Sequence, residues 1–388
     1  MRILQVSSHY PPYHTGGAER CCAALSSALQ AAGHEVLVAA PVPAGTYDGV
    51  RASGLPRRRA PMPVRKLALD YVNRGASRAL RRTIAAFRPD VVQFHNVYGI
   101  GSWLVADTAR TVPAVLTLHD YWPVDLVAPS YIDGTLRYPP RARALAPMLA
   151  VHRALHGRAL RDATLVAPSR FLAGRVGRAL SRVVGVVPNG VDAMDGVAGP
   201  RSNRILFVGR IVREKGIGLV LPALTRIAAE AGWRVDVVGD GPLRPTLQAR
   251  FADLEWHGST DPRPFYREAS VLVVPSIWPE NAPCVVLEGM AHGVAVLAAA
   301  AGGVPELVRH GETGLLHRPG DVASFAASLR ELLADPARRD ALGTAARAAT
   351  RDLTWSAVSE QYLRVYERAL GRCGAPQVPD ARMADIAA

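Results

Sequence analysis

Short apolar runs alternate with longer amphipathic segments along most of the chain. The first run, RILQVS at 2–7, precedes a helix pattern at 18–32 that ends at Gly33, and the run EVLVAA at 35–40 comes next. Compact apolar runs rich in β-branched residues predict buried strands, whereas apolar positions spaced three or four residues apart predict a helix. This segment therefore predicts a strand, a helix and a second strand.

Further runs are apolar at nearly every position, which is typical of parallel strands that helices cover on both faces. In the first half they lie at 90–95, 114–119, 163–169 and 183–189. The pattern restarts with RILFVG, and the later runs lie at 204–209, 234–239, 254–258, 271–276, 294–299 and 314–317. This order predicts two doubly wound α/β domains in tandem, each with a parallel sheet.

The join between these domains should lie between Asp192 and Ser202, where Gly, Pro and polar residues cluster. Open α/β sheets bind ligands beyond the carboxyl ends of their strands, so two such domains predict a site in the cleft between them. Residues that directly follow strands are therefore the candidates for function.

Composition narrows the class of protein. The 388 residues, 49% of them apolar and 20% charged, can bury a large core. No apolar run reaches about 18 residues and no secretory signal pattern opens the sequence, so we expect a soluble, cytoplasmic protein. The four cysteines lack a metal-ligand spacing such as C-x-x-C, which predicts free thiols and no zinc site.

The net charge of +13, from 46 basic and 33 acidic residues, favours a partner that carries phosphate. Nucleic acid, an anionic membrane and a nucleotide all fit that description. The most basic segment, Val50 to Arg88, joins PRRRAPMPVRK to an arginine-rich helix pattern. A solvated helix face is the simpler interpretation of it, and peripheral contact with an anionic membrane is the alternative.

Several loops that follow strands carry groups suited to an anion. Gly16 and Gly17 stand at the start of the first helix, where backbone N–H groups can approach a phosphate, although a plain turn fits these residues equally well. Arg210 directly follows a strand and Lys215 comes next along the same loop, and two cations there suit a diphosphate. Gly239 lies in a similar turn, GDGP, which is ambiguous as a signature.

His119 and Asp120 follow the strand in AVLTLHDYW and should point towards the cleft. A histidine in that position can bond a sugar hydroxyl or support a developing charge. A buried structural histidine is the alternative.

The stretch PENAPCVVLEGMAHG places two glutamates in different structures. Pro283 disfavours helix before it, so Glu280 should lie in a loop, and Glu288 should lie more than one turn inside the helix that follows. Carboxylates at these positions can accept bonds from sugar hydroxyls at two ends of one ligand. Between them the helix N-terminus offers an anion site at Asn281, Ala282, Pro283 and Cys284.

Together these motifs resemble the retaining GT-B glycosyltransferases of family 4. VGRIVREKG, GDGP, ENAPCVVLE and GGVPELVRHGETGLL, within 205–320, are similar to the C-terminal domain of that family. PPYHTGGAE, HDYW and VPNGVD are similar to its N-terminal domain. The resemblance implies two Rossmann-like domains that face each other across a cleft.

The resemblance also implies what each domain binds. An acceptor-binding domain would cover 1–190 and a domain that binds a nucleotide-sugar would cover 196–354. A helix at about 355–371 would pack back on the first domain. The segment after it is polar and rich in Pro and Gly, so its composition predicts a flexible tail at 373–388.

Residue roles follow by motif from the same resemblance. Arg210 and Lys215 would hold the diphosphate beside Gly17. Glu280 would bind the hydroxyls of the donor sugar, and Glu288 would bind those of the ribose. The residues expected to take part in catalysis are His119, Arg210, Lys215 and Glu280.

In such families the leaving diphosphate assists the acceptor on the same face of the sugar, so the anomeric configuration is retained. The protein then has to position the reactants and neutralise leaving-group charge, with His119 near the reacting carbon. No D-x-D triplet occurs, so neither a metal nor another cofactor is expected. A UDP-sugar is favoured over a GDP-sugar, and the acceptor can be a natural-product core, a glycan or a lipid-linked sugar.

Two alternatives from other classes stay open on the sequence alone. One is a basic protein that binds nucleic acid or membrane, and the other is a nucleotide-sugar epimerase with the same fold. The motifs favour small-molecule partners over nucleic acid, and the sequence leaves the oligomeric state open.

Overall fold

The computed structural model describes residues 1–13, 16–56, 70–97, 99–126, 129–139, 141–192 and 202–371. Most of the basic stretch PRRRAPMPVRK, the centre of the predicted join and the predicted tail at 373–388 lie outside these ranges. Among the described residues, no helix is both long enough and apolar enough to cross a membrane.

The N-terminal half forms an eight-stranded sheet with the order β10-β9-β6-β5-β1-β2-β4-β3, and β7 and β8 form a separate hairpin. Its strands are β1 (Arg2–Val6), β2 (Glu35–Ala40), β3 (Gly45–Tyr47), β4 (Val50–Gly54), β5 (Val91–Phe94), β6 (Ala114–Thr117), β7 (Ser130–Ile132), β8 (Thr135–Arg137), β9 (Thr164–Ala167) and β10 (Gly185–Val186). Its helices are α1 (Gly17–Ala31), α2 (Arg74–Phe87), α3 (Trp103–Ala109), α4 (Arg141–Ala144), α5 (Ala146–Ala159) and α6 (Arg170–Leu180).

The C-terminal half forms a six-stranded parallel sheet with the order β13-β12-β11-β14-β15-β16. Its strands are β11 (Ser202–Val208), β12 (Arg234–Val238), β13 (Glu255–Gly258), β14 (Ala269–Val274), β15 (Ala295–Ala299) and β16 (Leu315–His317). Its helices are α7 (Ile217–Ala231), α8 (Arg244–Arg250), α9 (Arg263–Glu268), α10 (Cys284–Ala291), α11 (Val304–Leu307), α12 (Val322–Ala334), α13 (Pro336–Ala349) and α14 (Trp355–Ala369). The predicted fold class, two α/β domains with parallel sheets, is confirmed.

The chain returns to the N-terminal sheet at its last helix. Buried residues of α14 join a core cluster with side chains of β1 and α1, among them Ile3, Leu25 and Leu29. Tyr362 and Tyr366 are the large side chains that α14 buries there. This helix therefore covers one face of the first sheet, although it follows the second sheet in sequence.

Every strand predicted from an apolar run overlaps a strand of the structure, but two hairpins were not predicted. Their strands are short and partly exposed, so they carry little apolar signal. The turns in YDGV and IDGT are Asp-Gly pairs with positive φ at both residues: Asp48 and Gly49, then Asp133 and Gly134. Asp-Gly is a strong hairpin signal, and it would have located both.

The arginine-rich helix pattern near residue 80 is α2, and it is amphipathic. Asn73 caps its start by accepting a hydrogen bond from the Ala76 N–H, and Leu80 and Phe87 are buried. The four arginines of the helix are exposed. A solvated face explains them, and membrane contact stays a prediction.

Candidate active site

The starts of α1 and α10 meet across the cleft. A Cβ at Gly17 would lie 3.8 Å from Cys284 Sγ, and Cys21 Sγ lies 3.5 Å from the same sulfur. Gly16 is the residue before α1, and a Cβ there would overlap the Glu19 carboxylate. Helix N-termini carry unpaired N–H groups and partial positive charge, so the abutting pair favours an anion between the two domains.

Lys215 and Glu280 come together because their loops pack backbone against backbone. Lys215 ends the 3-10 turn Arg213–Lys215, and Gly216 follows it with a φ of +71°, which favours glycine. A Cβ at Gly216 would overlap the carbonyl of Pro275, in the loop after β14. This close approach brings the lysine to the loop that carries the glutamate.

Glu280 is a buried, charged carboxylate with two donors on one oxygen. Lys215 Nζ and Ser276 Oγ each donate to Oε1 at 2.6 Å. Burial raises the pKa of Glu280, but the Lys215 charge and the hydrogen bonds from Lys215 and Ser276 lower it below its ordinary value of 4.5. Because both donors use Oε1, the carboxylate keeps acceptor capacity at Oε2.

The loop that carries Glu280 is fixed from both domains. From the C-terminal side, the Gly303 N–H donates to the Glu280 carbonyl at 2.7 Å, and a Cβ at Gly302 would overlap that carbonyl. Three hydrogen bonds join the loop to the N-terminal domain. Asn281 Nδ2 donates to the His119 carbonyl (2.7 Å), whereas Asn189 Nδ2 donates to the Ala282 carbonyl (2.9 Å) and Tyr121 Oη to the Pro279 carbonyl (2.6 Å). The geometry of this loop therefore depends on both domains.

Glu288 lies inside α10, and Pro283 precedes that helix, as predicted. Arg20 Nη2 of α1 donates to Glu288 Oε1 at 2.5 Å, and Tyr266 Oη donates to Oε2 at 3.0 Å. Burial raises the pKa of Glu288, while Arg20 and Tyr266 oppose that rise. The contact with Cys21 lowers the pKa of the Cys284 thiol, and the charges of Arg20 and Lys215 lower it further, while burial and the charge of Glu288 oppose them.

Arg210 and Gly239 lie beyond the ends of β11 and β12. The Arg210 side chain is exposed and forms no hydrogen bond or ion pair with any other described residue, so its charge is available to a ligand. Gly239 has a φ of +135°, and a Cβ there would overlap the Gly209 carbonyl. Gly239 therefore allows the loop after β12 to pack closely against the loop after β11. Its predicted contact with the ligand stays a prediction.

His119 lies two residues beyond β6, and its Nε2 is 3.0 Å from His95 Nδ1. Burial lowers the pKa of His119 to about 4, so the ring is neutral at pH 7. A neutral imidazole can exchange a hydrogen bond with a hydroxyl but cannot supply positive charge. Both roles predicted from the sequence for His119, bonding a sugar hydroxyl and supporting a developing charge, stay predictions. Asp120 accepts a hydrogen bond from the Trp122 N–H and so shapes the turn.

Sequence reasoning missed Arg20, Ser276, Tyr266 and Asn189. Arg20 carried a signal, because it lies in the first turn of the helix that begins at Gly17. Ser276 lies two residues beyond β14, and no charge marks it in the sequence. Tyr266 and Asn189 reach the site only through the tertiary fold.

A second charged cluster lies on the C-terminal sheet. Asp236, Glu255 and His257 place ligand atoms within 4.8 Å of one another. Arg204 Nη1 donates to Asp236 at 2.8 and 2.9 Å and to Glu255 at 3.0 Å. Arg234 also pairs with Glu255, at 3.6 Å, so two guanidinium groups balance the two carboxylates.

Comparisons with known proteins agree with this architecture. Residues 202–335 match the family described as Glycosyl transferases group 1, and residues 15–194 match Glycosyltransferase Family 4. The chain is 30% identical to glycogen synthase of Mycobacterium tuberculosis over 407 residues, which cover 94% of each chain.

Solved structures share the fold at lower identity. Sucrose-phosphate synthase from Thermosynechococcus elongatus superposes with a TM-score of 0.74 at 21% identity, covering 96% of this chain and 100% of the other. HepE from Anabaena, solved with UDP-glucose, gives 0.71 at 19% identity, covering 95% and 100%. The chain belongs to the family 4 glycosyltransferases, and its two facing α/β domains form the GT-B fold.

Proposed function

We propose that the protein moves a hexose-type sugar from a nucleoside diphosphate sugar to an acceptor and retains the anomeric configuration. The observation that carries the proposal is the pairing of both motif glutamates with cations at the abutting helix starts. These pairs are Lys215 with Glu280 and Arg20 with Glu288. They place the two carboxylates, which can bind hydroxyls, on either side of the space between the starts of α1 and α10. This space, the gap, is lined by the cations of the two pairs.

The gap suits a diphosphate. Lys215 and the exposed Arg210 supply two cations, and the starts of α1 and α10 supply N–H groups. Each charge-assisted contact contributes roughly 1.5 to 3 kcal/mol. Neutralising charge on a leaving diphosphate with side-chain cations is a way to do without a metal, and we propose that the enzyme needs none.

The two carboxylates suit the two ends of the donor. Glu280 Oε2 can accept from hydroxyls of the transferred sugar, and Glu288 can accept from the vicinal hydroxyls of ribose once Arg20 shifts towards the diphosphate. His119, neutral and on the opposite wall, would hydrogen-bond the same sugar. In this arrangement the acceptor would approach the anomeric carbon on the face from which the diphosphate leaves.

A UDP-sugar is the donor that we favour, since HepE, which has the same fold, has been solved with UDP-glucose. The acceptor should bind on the N-terminal side of the cleft, and natural-product cores, glycans and lipid-linked sugars are candidates.

A two-step screen tests the proposal. In the first step, one UDP-sugar from a panel of UDP-, GDP- and ADP-sugars should raise the Tm of the full chain. In the second step, that donor is incubated with a panel of acceptors in the presence of EDTA, and mass spectrometry should detect a glycosylated product. A change of the donor to its epimer without acceptor would favour the epimerase. Activity that EDTA abolishes and Mg²⁺ restores would contradict metal independence.

A further inference from the structure

His95 is a buried histidine to which the proposed reaction gives no role. His95 directly follows β5, and His119 lies two residues beyond β6. These strands are parallel neighbours, so both residues lie at the same edge of the sheet. The rings are nearly parallel, with 5.2 Å between centroids and 20° between planes. His95 is only 1% exposed, so it meets a ligand through His119 and not directly.

A series of buried hydrogen bonds holds the His95 ring at Nε2, the nitrogen that does not face His119. Its Nε2 lies 2.8 Å from Gln5 Oε1, and Gln5 Nε2 donates to Gln93 Oε1 at 3.2 Å. Gln93 Nε2 in turn donates to Thr117 Oγ1 at 2.8 Å. Both glutamines are fully buried. Turning any one of these groups leaves its neighbours without a partner, and each such loss costs about 1 to 3 kcal/mol.

The C-terminal helix α14 completes this series. Tyr366 Oη donates to Gln93 Oε1, and Tyr362 Oη lies 3.2 Å from Thr117 Oγ1. The return of α14 to the first sheet therefore supplies one hydroxyl group to the Gln93 amide and one to the Thr117 hydroxyl.

The donors and acceptors in this series of hydrogen bonds determine which nitrogen of His119 carries the proton. Since Gln5 presents an oxygen to His95 Nε2, that nitrogen carries the hydrogen and His95 Nδ1 carries the lone pair. His119 Nε2 then donates to His95 Nδ1, which leaves His119 Nδ1 as an acceptor.

We propose that His95 is a positioning residue for glycosyl transfer: it sets the ring plane and the tautomer of His119, so that His119 Nδ1 accepts a hydroxyl of the transferred sugar. This inference rests on the proposed function. Gln5, Gln93 and the α14 tyrosines hold His95 in that orientation.

Two substitutions at His95 separate positioning from simple packing. The amide of Asn reaches the place of Nδ1, so His95→Asn keeps the contact with His119 and loses that with Gln5. The amide of Gln reaches the place of Nε2, so His95→Gln keeps Gln5 and loses His119. Each variant loses one buried hydrogen bond, so their thermal stabilities should fall by similar amounts.

The first readout is nitrogen NMR of histidine-labelled full chain at pH 7.5, with resonances assigned by substituting single histidines. His119 in the wild type should show the shifts of a neutral ring protonated at Nε2, and in His95→Gln it should show a mixture of tautomers. An Nδ1-protonated His119, a mixture in the wild type, or no change in His95→Gln would overturn the inference.

The second readout is UDP release from UDP-glucose with water as the acceptor. We expect His95→Gln to lower kcat at least tenfold with the donor KM within twofold, and His95→Asn to keep kcat within about threefold. Equal losses in the two variants would mean a packing role and overturn the inference.

His119→Ala separates this inference from the proposed function. If His119→Ala slows the reaction and His95→Gln does not, positioning by His95 is wrong and the proposed function stands. If neither UDP nor UDP-glucose binds the wild type, the proposed donor is wrong, and the NMR result still decides whether His95 sets the tautomer.

Discussion

Removing the lysine from the Lys215–Glu280 pair should destabilise the protein more than removing the charge of the glutamate. The two side chains differ in burial, with 23% of Lys215 exposed but only 6% of Glu280. In Lys215→Met the carboxylate stays buried without its cation and keeps the hydrogen bond from the Ser276 hydroxyl. In Glu280→Gln the lysine can turn towards water, and the new amide can still accept a hydrogen bond.

The expected magnitudes follow from this difference. Breaking a buried pair so that one charge is stranded costs about 3 to 5 kcal/mol, and the partial exposure of Lys215 puts Lys215→Met near the lower limit. Glu280→Gln should cost about 1 kcal/mol, as for an ordinary lost hydrogen bond. The double variant strands no charge, so it should be more stable than Lys215→Met.

Thermal unfolding of the four proteins measures this coupling. A loss of about 3 kcal/mol lowers the Tm by roughly 6 to 12 °C for a domain of 150 to 250 residues. Lys215→Arg is the matched control, because it keeps the positive charge but replaces the compact ammonium with a planar guanidinium. Two equal and additive losses would show that the groups act independently and would refute this reasoning.

The pH dependence gives the same prediction a second check. In the wild type, the pKa of Glu280 is lowered, so its contribution to stability is present above the ordinary pKa of 4.5 and is lost as the pH falls through the lower folded value. Without Lys215, burial is opposed only by neutral hydrogen-bond donors, so the pKa of Glu280 should rise above 4.5. The variant then gains stability as the pH falls towards 4.5. The Tm difference between the two proteins should therefore be largest near pH 7 to 8 and should shrink towards pH 5.

The remaining predictions concern the contact between the domains and the glycine turn. Diamide should join Cys21 to Cys284 by taking one hydrogen from each thiol, which lowers the intact mass by about 2 Da, because the sulfurs are 3.5 Å apart. Peptide mapping should find this bridge in Cys22→Ala but not in Cys284→Ala, and its absence in the wild type would contradict the contact between α1 and α10. Gly239→Ala should cost about 1 to 3 kcal/mol through the positive φ, and more through the Cβ that it forces into the Gly209 carbonyl. A normal Tm by differential scanning fluorimetry would contradict that packing.

Sequence reasoning reached the fold because buried parallel strands carry a continuous apolar signal. The same rule missed the hairpin at 45–54, where polar and small residues alternate and Asp48 and Gly49 carry the information instead. It located Glu280 in a loop and Glu288 in a helix because a proline restricts its own backbone and that of the residue before it.

The partners of these residues were harder to predict, because they come from distant segments. Nothing local to Glu288 indicates that Arg20, 268 residues away, contacts it. One unused compositional signal pointed to the site: Lys66 and Lys215 are the two lysines among 46 basic residues. An arginine-rich chain thus places a compact ammonium beside Glu280.

Calorimetric titration of UDP and UDP-glucose into three proteins tests the donor site most directly. If Glu288 binds the ribose and Glu280 binds the transferred sugar, Glu288→Ala should weaken both ligands at least tenfold, whereas Glu280→Ala should weaken UDP-glucose at least tenfold and leave UDP no weaker than in the wild type. Affinities for UDP-glucose within twofold of the wild type in both variants would contradict the assignment of these two carboxylates to the donor.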